Sequence, residues 1–258
     1  MKKLVFAALF SAVTVSAHAQ DPLVLRYGVD PTFAPYESVD AQGNLVGIDI
    51  EFGNEICKRL QAKCQWVKIN FDGAIPALNA RKIDGILSGM SITAKRKKQV
   101  LFTTPLYTSG SRMMVPKGVT LETTPESLQG KTIGIVQGST QAAYANKHWQ
   151  GKGMKLVSYQ NDDRAKQDLA LGRIDGTLQN AAAAHFFFNT PDGAKFHLTG
   201  TPVVDPEVFG YGSSLGLRLG DTELKAKIDG AIASMKQDGT YKAILDRYAQ
   251  YGLTPVKE

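Results

Sequence analysis

The sequence predicts an α/β protein built from two similar lobes. Three observations carry that expectation. β-like and helix-like stretches alternate along most of the chain, which favours a largely parallel sheet covered by helices. A helix end, an Ile-Asp-Gly turn and a strand tipped with polar residues occur twice, at 80–89 and again at 171–180. The chain of 258 residues is long enough to bury two cores without disulfide staples.

The N-terminus reads as an export signal. Lys2 and Lys3 precede the apolar run Leu4 to Val15, and Ala17-His18-Ala19 fits a small-residue cleavage site. The expectation is a signal peptide over 1–19, cleaved after Ala19, and an exported soluble protein. The run is short for a membrane span. Removing it takes two lysines from a net charge of +6, leaving a mildly basic chain with both signs interspersed. No arginine run or aromatic-basic stripe points to nucleic acid.

Leu23 to Val29 is strand-like and runs into a proline-rich loop, Asp30 to Glu37. Ile48 to Leu60 has helical apolar spacing, Cys64 to Ile69 is a strand, and Ala74 to Arg81 is a short helix. Ile83 to Leu87 reads as a buried strand. Ser88, Gly89 and Ser91 follow it at the carboxyl end, where open α/β sheets bind ligands, and Gly89 allows close backbone approach. Thr93 opens a helical turn that carries Arg96. A guanidinium there suits a carboxylate held by paired charge-assisted bonds. Two readings of 83–96 stand side by side: half of a carboxylate site, or a loop with a surface arginine.

The second half follows the same plan. Lys131 to Val136 is a strand, Ala142 to Trp149 a helix, Met154 to Tyr159 a strand and Asp162 to Leu171 a helix. The repeated Ile-Asp-Gly then leads through Thr177-Leu178-Gln179 to Asn180, which stands where Gly89 stands in the first copy. Strand ends of both lobes should therefore face one cleft. Gly210 to Leu219 reads as a crossover strand. A helix to about Gln237 has Asp221 as its N-cap candidate, and the last helix, from Tyr241, packs back on the first lobe. Cys57 and Cys64 are the two cysteines, and in an exported protein they pair. Four scattered histidines make a zinc or histidine-based catalytic site improbable. No serine sits in a nucleophile-elbow setting, and no cofactor is expected.

Gly47-Ile48-Asp49-Ile50-Glu51, Met90 to Arg96, Gly134 to Thr140 and Asp238-Gly239-Thr240-Tyr241, in this order, resemble the periplasmic solute-binding proteins (family 3) for polar amino acids. The nearest likeness is to the lysine/arginine/ornithine- and histidine-binding proteins, which carry a disulfide where Cys57 and Cys64 lie. The resemblance implies the bilobed type II fold of periplasmic binding proteins. Its lobe 1 would be 20–108 plus 211–258 and its lobe 2 would be 109–210, joined by a two-strand hinge near 107–111 and 209–213. It also implies a monomer that closes on its ligand and docks on a membrane permease of an ABC importer.

By that resemblance Arg96 takes the ligand carboxylate, with Ser91 and Thr140 as added donors; Thr140 also sits at a helix start and suits an N-cap. Asp30 takes the distal cation, or is only a turn residue before Pro31. Phe33 and Phe71 sandwich the ligand's middle, unless they are core. Ser88 and Gln141 are lesser contacts. Two positions depart from the relatives: Phe33 replaces a tyrosine, and Asn180 replaces an aspartate that pairs with the ligand's α-ammonium. Losing that charge costs about 1.5–3 kcal/mol. The ligand is then a basic amino acid held more weakly, or one substituted on its α-nitrogen, such as the opines octopine and nopaline; Gly89 would leave room for the extra group. The competing expectations are an enzyme resembling cyclohexadienyl dehydratases, with Glu37 or Asp30 as its acid, and a module serving a membrane sensor.

Overall fold

The computed structural model describes residues 22–256, so the expected signal peptide and its cleavage after Ala19 lie outside the described residues. The chain runs β1 (Val24–Val29), β2 (Thr32–Phe33), β3 (Glu37–Val39), β4 (Leu45–Val46), α1 (Ile48–Arg59), β5 (Lys63–Lys68), α2 (Ala74–Asn79), β6 (Gly85–Ile86), α3 (Ala94–Lys97) and β7 (Leu101–Phe102). It continues through β8 (Ser111–Pro116), β9 (Thr132–Val136), α4 (Thr140–His148), β10 (Lys155–Tyr159), α5 (Asp162–Ala170), β11 (Gly176–Asn180), α6 (Ala181–Phe188), β12 (Phe196–Val203), α7 (Pro206–Phe209), β13 (Gly216–Leu217), α8 (Thr222–Gln237) and α9 (Thr240–Tyr248).

Two five-stranded sheets result, ordered β5-β1-β6-β13-β7 and β10-β9-β11-β8-β12. In each, the first three strands are parallel and the fourth, β13 or β8, runs against them. The sheets are thus mixed, the expected parallel part being three strands of each. The repeated Ile-Asp-Gly has one structural job in both. Asp84 accepts the backbone N–H of Arg26 at the start of β1, and Asp175 accepts that of Thr132 at the start of β9. Each aspartate ties the strand it introduces to the strand beside it.

The first core joins Leu25 and Tyr27 of β1 and Phe52 and Ile56 of α1 to Ile228, Ile232 and Met235 of α8 and to Ile244 and Leu245 of α9. The C-terminal helices therefore pack on the first sheet, because their apolar stripes have nowhere else to bury. The second core gathers Met113, Val115, Ile133, Ile135, Trp149 and Leu178. The two parts touch where Ala182 enters the first core and Phe186 meets Tyr251 at 5.3 Å.

Several expected elements are shorter or elsewhere. The strand expected over 83–87 pairs only at Gly85–Ile86, although Ile83 is fully buried. The crossover expected over 210–219 has two strand residues, Gly216–Leu217, and Ser213 forms isolated bridges with Ser91 and Tyr107. Phe209 ends a one-turn helix, α7, capped by Asp205, whose carboxylate accepts from Glu207 and Val208. Asp221 precedes α8 but makes no capping bond, because its carboxylate pairs with Arg218 at 2.9 Å. Among the described residues, no helix is long and apolar enough to cross a membrane.

Cys57, in the last turn of α1, and Cys64, in β5, form a disulfide with a sequence separation of 7. Closing so small a loop restricts the unfolded chain modestly. Cys57→Ser with Cys64→Ser should lower unfolding free energy by about 2.5 kcal/mol, read as a shift in urea midpoint at unchanged slope.

Candidate functional site

The carboxyl ends of β1, β6, β9 and β11 converge on one cleft of about 610 Å³, counting its open mouth. All ten expected ligand-contact residues lie on its wall. Asp30, Phe33, Phe71, Ser88, Gly89, Ser91 and Arg96 come from the first sheet's loops, and Thr140, Gln141 and Asn180 from the second's. Geometry gathers them because both sheets end their parallel strands at the same place.

Arg96 is buried, at 8% exposure, and burial alone lowers its pKa to about 10. Thr93 caps α3 by accepting the Arg96 N–H, which fixes where the side chain leaves the backbone. Its guanidinium donates to the Ser91 carbonyl at 3.0 Å and, across the cleft, to the Gly138 carbonyl at 3.0 Å. The Phe71 ring lies 5.2 Å beneath it. Among the described residues no carboxylate forms an ion pair with it. A buried cation with only neutral partners is poised for an anion.

Asp30 is 5% exposed, lines the cleft and closes the turn expected of it. One oxygen closes a turn by accepting from the backbone and hydroxyl of Thr32, and the other accepts the Phe71 N–H at 3.2 Å. Burial, opposed by those bonds, raises its pKa, and the charge of Asp162 raises it further. Asp162 lines the cleft from the first turn of α5 and pairs with Lys166 at 2.5 Å.

The aromatic pair differs from a simple sandwich. Phe33 stacks on Tyr36 at 4.6 Å, while Phe71 lies under Arg96; both are half-buried wall residues that also pack against the core behind them. Gly89 has φ +57°, and a β-carbon there would come within 2.7 Å of the Phe33 ring. The space it leaves is therefore taken by Phe33, not held open for a ligand group as expected.

On the opposite wall, Ser139 and not Thr140 caps α4, accepting the Ala142 N–H at 3.0 Å. Thr140 is the first helical residue, buried, with free backbone donors of the helix start around it. Gln141 donates to Ser111 at 2.9 Å.

Asn180 ends β11 and caps α6. Its Oδ1 accepts from Ala182 N–H at 2.9 Å, Ala183 N–H at 3.2 Å, Tyr36 O–H at 3.0 Å and Ser109 O–H at 3.3 Å. Four donors on one oxygen orient the amide, and Nδ2 of this cleft-wall residue donates to nothing among the described residues. The Tyr36 bond also links the two walls.

Sequence reasoning did not find Thr32, Val136, Ser139, Asp162, Leu178 and Gln179 on this wall. Asp162 had a signal, since it opens a helix directly after a strand. Of the two acids an enzyme could use, Glu37 is wholly buried and does not line the cleft, whereas Asp30 does. Among the described residues there is no cluster of acids, cysteines and histidines fit for a metal.

Comparison with known proteins agrees with this geometry. The chain is 44% identical over 243 residues to the lysine/arginine/ornithine-binding periplasmic protein of Escherichia coli (strain K12), covering 94% of each chain. It is 43% identical over 256 residues to the histidine-binding periplasmic protein of the same strain, covering 97% of this chain and 98% of that one. These relatives are solute-binding proteins, not enzymes. A solved structure of an ancestral arginine-binding protein bound to arginine superposes with a TM-score of 0.81 at 35% identity, covering 87% of this chain and 97% of that one. Residues 25–251 match the profile of one family along nearly the whole described chain, and the protein belongs to it: the bacterial extracellular solute-binding proteins, family 3.

Proposed function

We propose that this protein is the periplasmic substrate-binding component of an ABC importer for a basic amino acid or an α-N-substituted derivative. The observation that carries the reading is the buried Arg96, without a carboxylate partner, in the same cleft as the buried acid Asp30. Arg96 takes the ligand's carboxylate, helped by Ser91 and the start of α4 at Thr140. Asp30 takes the distal ammonium or guanidinium, with Phe33 and Phe71 against the stem. Ser88 and Gln141 complete the wall.

The charges on the wall favour the substituted ligand. Asp162 is matched by Lys166, so Arg96 and Asp30 leave one positive and one negative site. Free arginine brings a carboxylate and two cations, and its α-ammonium would meet the donor Nδ2 of Asn180. Octopine adds one carboxylate on that nitrogen and nopaline two, and either offers Nδ2 an acceptor.

Lobes 20–108 plus 211–258 and 109–210 close about the segments near 107–111 and 209–213. The closed monomer then docks on the permease. The relatives named above, binders of lysine, arginine, ornithine and histidine, support the basic-ligand class.

Calorimetric titration with L-arginine, L-lysine, L-ornithine, L-histidine, octopine and nopaline tests the reading. Saturable binding of at least one is expected, with the opines tighter than L-arginine. No heat with any of them would remove the ligand class, and arginine tighter than both opines would remove the substituted ligand.

A further inference from the structure

Behind the cleft wall lies a group that the binding reading does not use. Glu37 on β3 and Asp49 on α1 are both fully buried, at 0% exposure. Asp49 is well supplied with donors: Tyr107 O–H reaches Oδ1 at 2.5 Å, and Gly89 N–H reaches Oδ2 at 2.7 Å. Glu37 Oε1 accepts from the Ser88 hydroxyl at 2.5 Å. Its Oε2 is buried and has no donor at all, yet the Glu37 side chain is within hydrogen-bond reach of Asp49.

The groups facing the pair from every side are Asp49 and Glu37 themselves, Asp30 after β1, Tyr36 ahead of β3 and Tyr107 beside the hinge. Among the described residues, no lysine, arginine or histidine forms an ion pair with either carboxyl. Two adjacent anions buried without a cation are costly, and a single proton between them removes both the repulsion and the orphaned oxygen.

We propose that Glu37 is a neutral carboxylic acid that donates its proton to Asp49, and that this positioning residue sets the polarity of the cleft floor. Burial first, and then the charge of Asp49, hold its pKa well above the usual carboxyl range. The direction of every bond in the chain follows. Asp30 N–H donates to Ser88 Oγ at 3.1 Å, Ser88 O–H donates to Glu37, and Glu37 O–H donates to Asp49. Ser88 has spent its only proton, and Gly89 has spent its N–H on Asp49. Both are therefore unable to donate to a ligand, and Ser88 presents only a lone pair. The first-sheet floor suits a ligand N–H and leaves the carboxylate to Arg96. That last step rests on the amino-acid reading; the position of the proton does not.

Infrared spectra of the full chain labelled with carboxyl-¹³C glutamate separate the two. Glu37 is the only fully buried glutamate among the described residues. A ¹³C-shifted band of a protonated carboxylic acid at neutral pH is expected, lost in Glu37→Gln. Wild type showing only carboxylate bands at neutral pH overturns the proposal, and this holds whether or not any ligand binds and whether or not the variant folds.

Calorimetry supplies the functional arm, with the tightest-binding of the six compounds above as probe. Glu37→Ala should weaken binding at least tenfold, and Glu37→Gln, which keeps one donor and one acceptor, should restore most of it. Wild-type affinity should fall by up to tenfold per pH unit as Glu37 ionises, and the Glu37→Gln profile should lack that fall. Identical pH profiles in wild type and Glu37→Gln overturn the role in binding.

Discussion

Arg96→Ala is expected to weaken ligand binding by about 2–5 kcal/mol, roughly thirtyfold to several-thousandfold in Kd. The size follows from what the substitution leaves behind. The ligand carboxylate would be closed into the cleft with no cation, and a buried charge without a partner loses its hydration for nothing in return. Arg96→Lys should recover only part of the loss. The planar fork of Arg96 serves Ser91 O and Gly138 O while resting on Phe71, and one ammonium cannot match that geometry. The substitution also removes the bond from Arg96 to the far wall, so closure itself could account for a weaker affinity. Thermal unfolding without ligand separates the causes. Arg96 is a buried cation with no carboxylate partner among the described residues, so its removal should cost the ligand-free protein little stability, whereas ligand-induced stabilisation should be nearly abolished. Wild-type affinity in Arg96→Ala, measured by calorimetry, would remove Arg96 from the carboxylate site.

Much of this site was legible because its signals are local. An apolar run followed by small polar residues marks a strand end, and Thr93 three residues ahead of Arg96 marks the helix start that aims it. The repeated Ile-Asp-Gly was readable as a pattern, but its cause, an aspartate tying neighbouring strands, is a contact between Asp84 and Arg26, 58 residues apart. What could not be read is of that long-range kind. Ser139 and Thr140 are adjacent hydroxyl residues, and only the entry angle of α4 decides which of them caps it. Phe33 of β2, 56 positions away in the chain, fills the space beside Gly89, a contact that periodicity does not encode. The crossover at 210–219 forms a strand only at Gly216–Leu217, while Ser213 makes single bridges to both Ser91 and Tyr107, partners more than 100 residues away. The Glu37–Asp49 pair looks in sequence like two ordinary surface acids. Only their shared burial reveals the proton.

Asn180→Asp should exchange the ligand preference of the cleft. The capping oxygen is retained by the substitution, since a carboxylate accepts from Ala182, Ala183, Tyr36 and Ser109 as the amide oxygen does. Aspartate is as good an N-cap as asparagine, and its charge is favoured at the start of α6. The fold should therefore keep its stability, and the change is confined to the amide's other atom. There a donor, Nδ2, becomes an anionic acceptor. For L-arginine the α-ammonium gains a charge-assisted partner, worth about 1.5–3 kcal/mol, or roughly ten- to 150-fold in affinity. For octopine or nopaline, the carboxylate on the α-nitrogen loses its donor and meets a like charge, so affinity should fall by a comparable factor. The two ligands should move in opposite directions in one variant, which a general loosening or tightening of the cleft cannot produce. Parallel titrations of both ligands against wild type and Asn180→Asp read this directly. If arginine binds tightly to wild type and no better to the variant, Asn180 does not direct specificity. The choice of ligand then rests on the distal end, where Asp30 faces the Asp162–Lys166 pair.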